Sequence, residues 1–198
     1  MIIIGLTGGI ASGKTTIVNF LKKNKFAVHE SDGVVKKIYS KPTYRFIKYL
    51  KKIGLLNSIK NQKINKNTIR EEIFINKRKK RELEKFIHEE VKKSREKFLK
   101  KHKKSTIVFL DIPLLFENNL EKICDYVILL YAPKVIRKKR AIKRTGMRKK
   151  IVENIMNNQL SDSLKRKKAD FIIKTNTTKK NTYTILMKTI NLIKKKYA

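Results

Sequence analysis

Apolar residues recur along this chain in two spacings. Short runs with a β-branched bias stand at Ile2-Ile3-Ile4-Gly5-Leu6, Phe26–His29, Thr106–Asp111, Tyr126–Tyr131 and Asp170–Lys174. Such runs, bounded by turn residues, predict strands buried on both faces of a parallel sheet. Between them the apolar positions fall three and four residues apart, the period of a helix face. These are Ile17, Val18, Phe20 and Leu21; Val35, Ile38 and Tyr39; Tyr44, Ile47 and Leu50 after Pro42; Ile69, Ile73 and Phe74; Leu83, Phe86, Ile87, Val91 and Phe98; and Leu186, Ile190, Ile193 and Tyr197. The first strand, helix and second strand fit within about 30 residues, the size of a βαβ unit. Five strands alternating with helices predict an α/β fold around a parallel sheet. Residues 34–104 carry no convincing strand and read as a largely helical insert, and 134–168 as a basic helical segment. No linker separates two independent domains, so residues 1–198 are expected to form one, with a core at about 1–33, 105–133 and 169–198. Both helical segments are expected at the carboxyl ends of the strands, where ligands bind in such sheets.

Composition narrows the picture. The 198 residues include 51 Lys+Arg against 16 Asp+Glu, a formal net charge of +35. Such a balance permits phosphate-rich partners, from nucleotides to nucleic acid. Lysine supplies 41 of the 51 and arginine 10. Lys, Ile and Asn share A/T-rich codons, so drift raises them together, and most of this charge reads as solvated surface. Base readers favour arginine, and no nucleic-acid-binding motif is recognisable, so no specific nucleic acid is expected as a partner. Cys124 is the single cysteine, which excludes an internal disulfide or a multi-Cys metal site. Apolar stretches fall far short of the ~18 residues of a membrane span, and the opening MIIIGLTGG lacks the basic segment of a secretory leader. The expectation is a cytoplasmic protein with no membrane partner.

The chemistry is concentrated near the start. Gly8-Gly9-Ile10-Ala11-Ser12-Gly13-Lys14-Thr15 fits G-x-x-x-x-G-K-[ST] without a mismatch, after a β-branched strand and before an amphipathic helix. Glycines let the backbone curl its N–H groups around phosphate oxygens. The helix that follows adds unsatisfied N–H groups and the positive end of its dipole. Lys14 is placed to reach the β- and γ-phosphates, and the Thr15 hydroxyl to meet Mg²⁺. The site residues for ATP are Gly9, Ala11, Ser12, Gly13, Lys14, Thr15 and Thr16. A single sheet with no coupling module suits a small-molecule kinase, whose lid must exclude water. Asp32 follows the second strand and so falls at the same sheet edge as the loop; a carboxylate there could take the proton of a hydroxyl acceptor, or Ser31 or Asp32 could merely cap the next helix.

Several further features occur in order: LTGGIASGKTT, Asp32, IRxxIF at Ile69–Phe74, His88 within a helix, DIPLLFE at 111–117, and Gln159 followed by KRxxAD at 165–170. Together they resemble the dephospho-coenzyme A kinase family over residues 2 to about 175. The resemblance implies a three-layer P-loop kinase fold with a helical CoA-binding insert and a helical lid at about 134–168. It also implies ATP and dephospho-CoA as substrates, with transfer to the ribose 3′-hydroxyl, the last step of CoA synthesis. Asp32 matches the base, Arg70 and His88 match basic positions of the substrate region, and Arg140 matches a lid arginine that steadies the transferring phosphoryl. Four positions depart from the family pattern. Ala11 stands where the family usually has Gly, tolerable where φ is negative and strained otherwise; Glu30 stands where Asp is frequent, Glu89 where Pro is common, and Lys174 where an acid is often seen. Asp111 reads either as a magnesium-associated acid or as a structural one, and Glu117 as a loop organiser. The alternatives are another small P-loop kinase, acting on a nucleoside monophosphate or another hydroxyl, and a basic nucleic-acid-binding protein. A monomer or weak homo-oligomer is expected.

Overall fold

The structure is a computed structural model that describes residues 1–60 and 63–197. In chain order it has β1 (Ile2–Thr7), α1 (Lys14–Lys23), β2 (Ala27–Glu30), α2 (Ser31–Ser40) and α3 (Tyr44–Lys52). Two short strands follow, β3 (Ile59–Lys60) and β4 (Lys63–Ile64), then α4 (Lys66–Ile75) and α5 (Lys77–Lys101). The remainder is β5 (Ile107–Asp111), β6 (Tyr126–Tyr131), α6 (Lys134–Ile142), α7 (Lys149–Asn157), α8 (Asp162–Lys168), β7 (Phe171–Lys174) and α9 (Lys179–Tyr197). The chain divides into two compact units, Met1–His29 with His102–Ala198, and Glu30–Lys101.

The first unit is built on the five-stranded parallel sheet, ordered β2-β5-β1-β6-β7. In it β1 pairs in parallel with β5 and β6, and β6 with β7. Alternate residues Ile2, Ile4 and Leu6 of β1, with Ile107, Phe109, Ile128, Leu130 and Ile173, point to one face. There they meet Ile17, Val18 and Leu21 of α1 and Leu186, Ile190 and Ile193 of α9. The other face is apolar too, with Val108, Leu110, Val127 and Leu129 all buried; strands buried on both sides lose the polar alternation of a half-exposed strand, as the runs in the sequence foretold. Tyr197 was expected on the buried stripe of α9 but is 54% exposed, at the last residue of the helix.

The second unit is a helical bundle around Phe46, Leu50, Leu55, Ile69, Leu83, Phe86 and Ile87. Its centre is aromatic: Phe86 stacks on Tyr49 at 4.6 Å and on Phe46 at 5.3 Å between ring centroids, and Tyr39 meets Phe46 edge-on. Such pairs add about 0.5–1.5 kcal/mol each beyond their burial. Two features differ from the sequence expectation. Phe74 is 90% exposed, because on α4 Ile69 and Ile73 take the inward stripe and the next residue turns about 100° away. The segment expected to lack strands also forms a small antiparallel pair, Ile59 opposite Ile64 and Lys60 opposite Lys63. Strands of two residues are too short for alternation to announce them.

Candidate active site

The phosphate loop occupies the turn between β1 and α1, at the centre of the sheet. Gly13 has φ +90°, a left-handed conformation that favours glycine, and it caps α1 without any side-chain hydrogen bond. The first N–H groups of α1 are therefore left for an anion. Within the loop the Ser12 N–H donates to the Gly9 carbonyl at 3.1 Å. Lys14 begins α1, and its Nζ lies 2.6 Å from Oδ1 of Asp111, at the end of the neighbouring strand β5; the two side chains are 15% and 8% exposed. Sheet register creates this pair, since β1 and β5 are adjacent and parallel and end together. Thr15 is exposed on the first turn of α1 and Thr16 is half-buried beside it.

Ala11 decides the first of the departures. Its φ is +59°, so the strained alternative holds. A left-handed L-residue costs about 1–2 kcal/mol. The methyl nevertheless is 6% exposed and packs with Ala141 of α6 and Val152 and Met156 of α7. Replacement by glycine removes the strain, but it forfeits about 0.8 kcal/mol of methyl burial and adds about 0.5–1 kcal/mol of chain entropy to be lost on folding. The terms nearly cancel. Ala11→Gly is expected to leave unfolding free energy within about 1 kcal/mol of the parent in urea titration; a change of about 3 kcal/mol would show that this balance is wrong.

Beside the loop lies a cleft of about 380 Å³ lined by Ala11, Gly13, Thr16, Arg140, Arg144 and Thr175, among others. The Arg140 guanidinium runs along its wall and donates to the Thr175 carbonyl at 2.8 Å and to Thr175 Oγ1 at 3.4 Å. Thr175 in turn donates its hydroxyl to the Ser12 carbonyl at 2.7 Å, fastening the segment after β7 to the phosphate loop. Gln159 makes a second fastening, its Oε1 accepting the Ile10 N–H at 3.0 Å. Glu117 accepts the Leu160 N–H at 3.0 Å and lies 2.7 Å from the Nζ of buried Lys165, not aligned as a hydrogen bond. These contacts tie the loop after β5 to α8 and the segment before it. On α6 and α7 the Lys138 ammonium, hydrogen-bonded to Glu153 at 2.6 Å, holds that carboxyl below the usual range.

The other expected site residues lie in the second unit. Asp32 is exposed in the first turn of α2, whose cap residue is Glu30 and which has no side-chain capping bond. Neither Ser31 nor Asp32 is the N-cap, so the capping reading of this pair loses its support. Arg70 on α4 and His88 on α5 are both exposed, on two helices that pack against each other. Helix α5 runs unbroken through Glu89; the Lys93 ammonium, and more weakly Arg45, hold the Glu89 carboxyl low.

Sequence reasoning missed Thr175, Arg137 and Asp162 as parts of the loop's support. Gln159 and Lys165 carried a signal, since both stand in the motif at 159–170, but no spacing rule could show what they touch. No helix among the described residues is long and apolar enough to cross a membrane.

Comparison with known proteins agrees with this geometry. The family model for dephospho-CoA kinase matches residues 2–181. A dephospho-CoA kinase of Bartonella henselae is 38% identical over 185 residues, covering 92% of this chain and 93% of its own. Among solved structures, TT1252 from Thermus thermophilus superposes with a TM-score of 0.84 at 26% identity, covering 96% of each chain. The dephospho-CoA kinase from Campylobacter jejuni does so with 0.73 at 27% identity, over 99% of this chain and 98% of that one. With the family matched across nine-tenths of its length and the phosphate loop, its lysine and the motif at 111–117 in place, the chain belongs to the dephospho-CoA kinase family.

Proposed function

We infer that this chain transfers the γ-phosphoryl of ATP to the ribose 3′-hydroxyl of dephospho-CoA, giving CoA and ADP. The observation that carries the reading is the Lys14–Asp111 pair at 2.6 Å beside a glycine-capped, side-chain-free helix start, within a chain of this family. In the resting protein Lys14 is held by a carboxylate at the edge of an anion cradle. A triphosphate offers the ammonium a more highly charged partner within reach, so Lys14 exchanges Asp111 for the β/γ-phosphates without crossing solvent. The loop N–H groups and the α1 dipole hold the remaining oxygens. The cleft lined by Arg140, Arg144 and Thr175 receives the nucleoside, a volume in the range of small-molecule sites.

Arg140 takes its part from the same wall. Its link to Thr175 is a pair of hydrogen bonds to uncharged acceptors, weaker than a bond to phosphate, so the guanidinium is free to turn toward the transferring group and offset its charge. Asp32 accepts the proton of the 3′-hydroxyl, and Arg70 and His88 hold the anionic groups of dephospho-CoA. Residues 134–168 serve as the lid. Mg²⁺ fits the donors present: the Thr15 hydroxyl and the Asp111 carboxylate are hard oxygen ligands of the kind it takes. When bound with ATP, the ion neutralises charge on the β- and γ-oxygens. The protein so read works in the cytoplasm, as a monomer or weak homo-oligomer, without nucleic acid or membrane as partner.

ADP release, followed by mass analysis of the acceptor, tests the reading across dephospho-CoA, nucleoside monophosphates and simple sugars. Dephospho-CoA is expected to be the efficient acceptor and to gain one phosphoryl at the 3′ position. Preferential use of another acceptor, or ATP consumption with dephospho-CoA left unmodified, would reject it.

A further inference from the structure

Arg137 is 4% exposed, buried more deeply than the other cations of its basic helix α6. Its guanidinium is fixed at three points. Nε donates to the Ala132 carbonyl, just past β6, at 2.9 Å. Nη2 donates to both carboxylate oxygens of Asp162 on α8, at 2.7 and 2.5 Å. Nη1 sits against the phosphate loop: a Cβ added at Gly9 would lie 2.1 Å from it and 3.4 Å from Gln159 Oε1. Gly9 is the residue whose carbonyl closes the loop's turn by accepting the Ser12 N–H. Gln159 holds the next residue, Ile10, by its N–H.

Stability is a weak reason for this arrangement. Burying a guanidinium costs several kcal/mol of desolvation, and an apolar side chain of equal volume commonly serves a core as well or better. What an apolar residue cannot supply is a rigid cation braced between the end of β6 and α8 and pressed against the backbone of an anion cradle. There it sets the position of the Gly9 peptide. We propose that Arg137, braced by Asp162, is a positioning residue for the phosphoryl donor: it holds the phosphate loop at Gly9 in its ATP-accepting curvature and couples that curvature to the segment 134–168. The inference rests on ATP occupying residues 8–16.

Steady-state kinetics on four variants test it, each checked for cooperative unfolding. Arg137→Met keeps volume and removes charge. It is expected to raise KM for Mg-ATP by about 10- to 100-fold, the scale of misplacement effects, with KM for dephospho-CoA changed less than about twofold. Asp162→Asn, at a site one-third exposed, is expected to show the same one-sided shift more weakly. It decides the matter should Arg137→Met fail to fold. Gly9→Ala forces a methyl into the guanidinium and is expected to share the defect, while Gly9→Ala/Arg137→Ala, which empties that space, recovers part of the ATP KM. An unchanged ATP KM in folded Arg137→Met or Asp162→Asn, equal shifts for both substrates, or a double variant no better than Gly9→Ala would each overturn the proposal. Phosphorylation of dephospho-CoA by the parent protein is measured alongside. Its absence would instead remove the functional reading, whereas parent activity with indifferent variants removes this inference alone.

Discussion

Lys14→Ala is expected to lower kcat by about 10³-fold, the upper end of what one transition-state cation or oxyanion donor supplies. The geometry makes the estimate specific. Lys14 Nζ is the charged group that begins α1 from the edge of the loop, and its present partner Asp111 lies on the strand alongside, so no other lysine can be substituted by a small backbone shift. Two effects of the mutation must be separated. Removing the ammonium leaves Asp111, at 8% side-chain exposure, without its ion-pair partner, and such a loss can cost about 3–5 kcal/mol when the charge is fully buried. That is a large part of a typical folding free energy of about 5–15 kcal/mol, but Asp111 sits at a strand end with further interactions, so a cooperative fold is expected to survive at reduced melting temperature. The check is single-turnover transfer from saturating Mg-ATP, alongside a thermal melt. A folded Lys14→Ala protein turning over within about tenfold of the parent would show that the lysine does not carry the transferring group.

The sheet and the loop were legible in the sequence for the same reason: both are encoded by residues adjacent in the chain. The five strands begin within one residue of their expected starts; in β1, β5 and β6, buried on two faces, no polar interruption blurs the run. The loop is written in eight consecutive positions, and its left-handed Gly13 and the helix start follow locally. What remained unreadable is assembled by topology. Gln159 meets Ile10 across 149 positions, and Thr175 meets Ser12 across 163. Both contacts exist because β6 and β7 lie on one side of β1 in the sheet order, a fact no periodicity contains. Arg137 lies in the segment that reads as basic and helical; nothing in its spacing distinguishes it from Arg140 or Arg144, and only its burial does. The strain at Ala11 was foreseeable as a condition on φ, but its sign required the backbone, and the packing that offsets it required α6 and α7. Exposed Phe74 and the short strands β3 and β4 mark the opposite limit, where apolar character and pattern are too local to decide burial.

Asp32→Asn is expected to lower kcat by about 10²- to 10⁴-fold, the span of general-base catalysis, with KM for both substrates near the parent values. The amide preserves size and hydrogen-bonding capacity but cannot accept the proton that a ribose hydroxyl gives up as it attacks. Placement in the chain favours this use. Asp32 lies two residues past the end of β2, in the first turn of α2, exposed and outside the cap position. The split between kcat and KM separates a base from a mere ligand. A folded variant that turns over within about tenfold of the parent, or that loses dephospho-CoA affinity at unchanged kcat, would place Asp32 among the substrate-holding residues and leave the acceptor's proton to water or to the phosphoryl group itself.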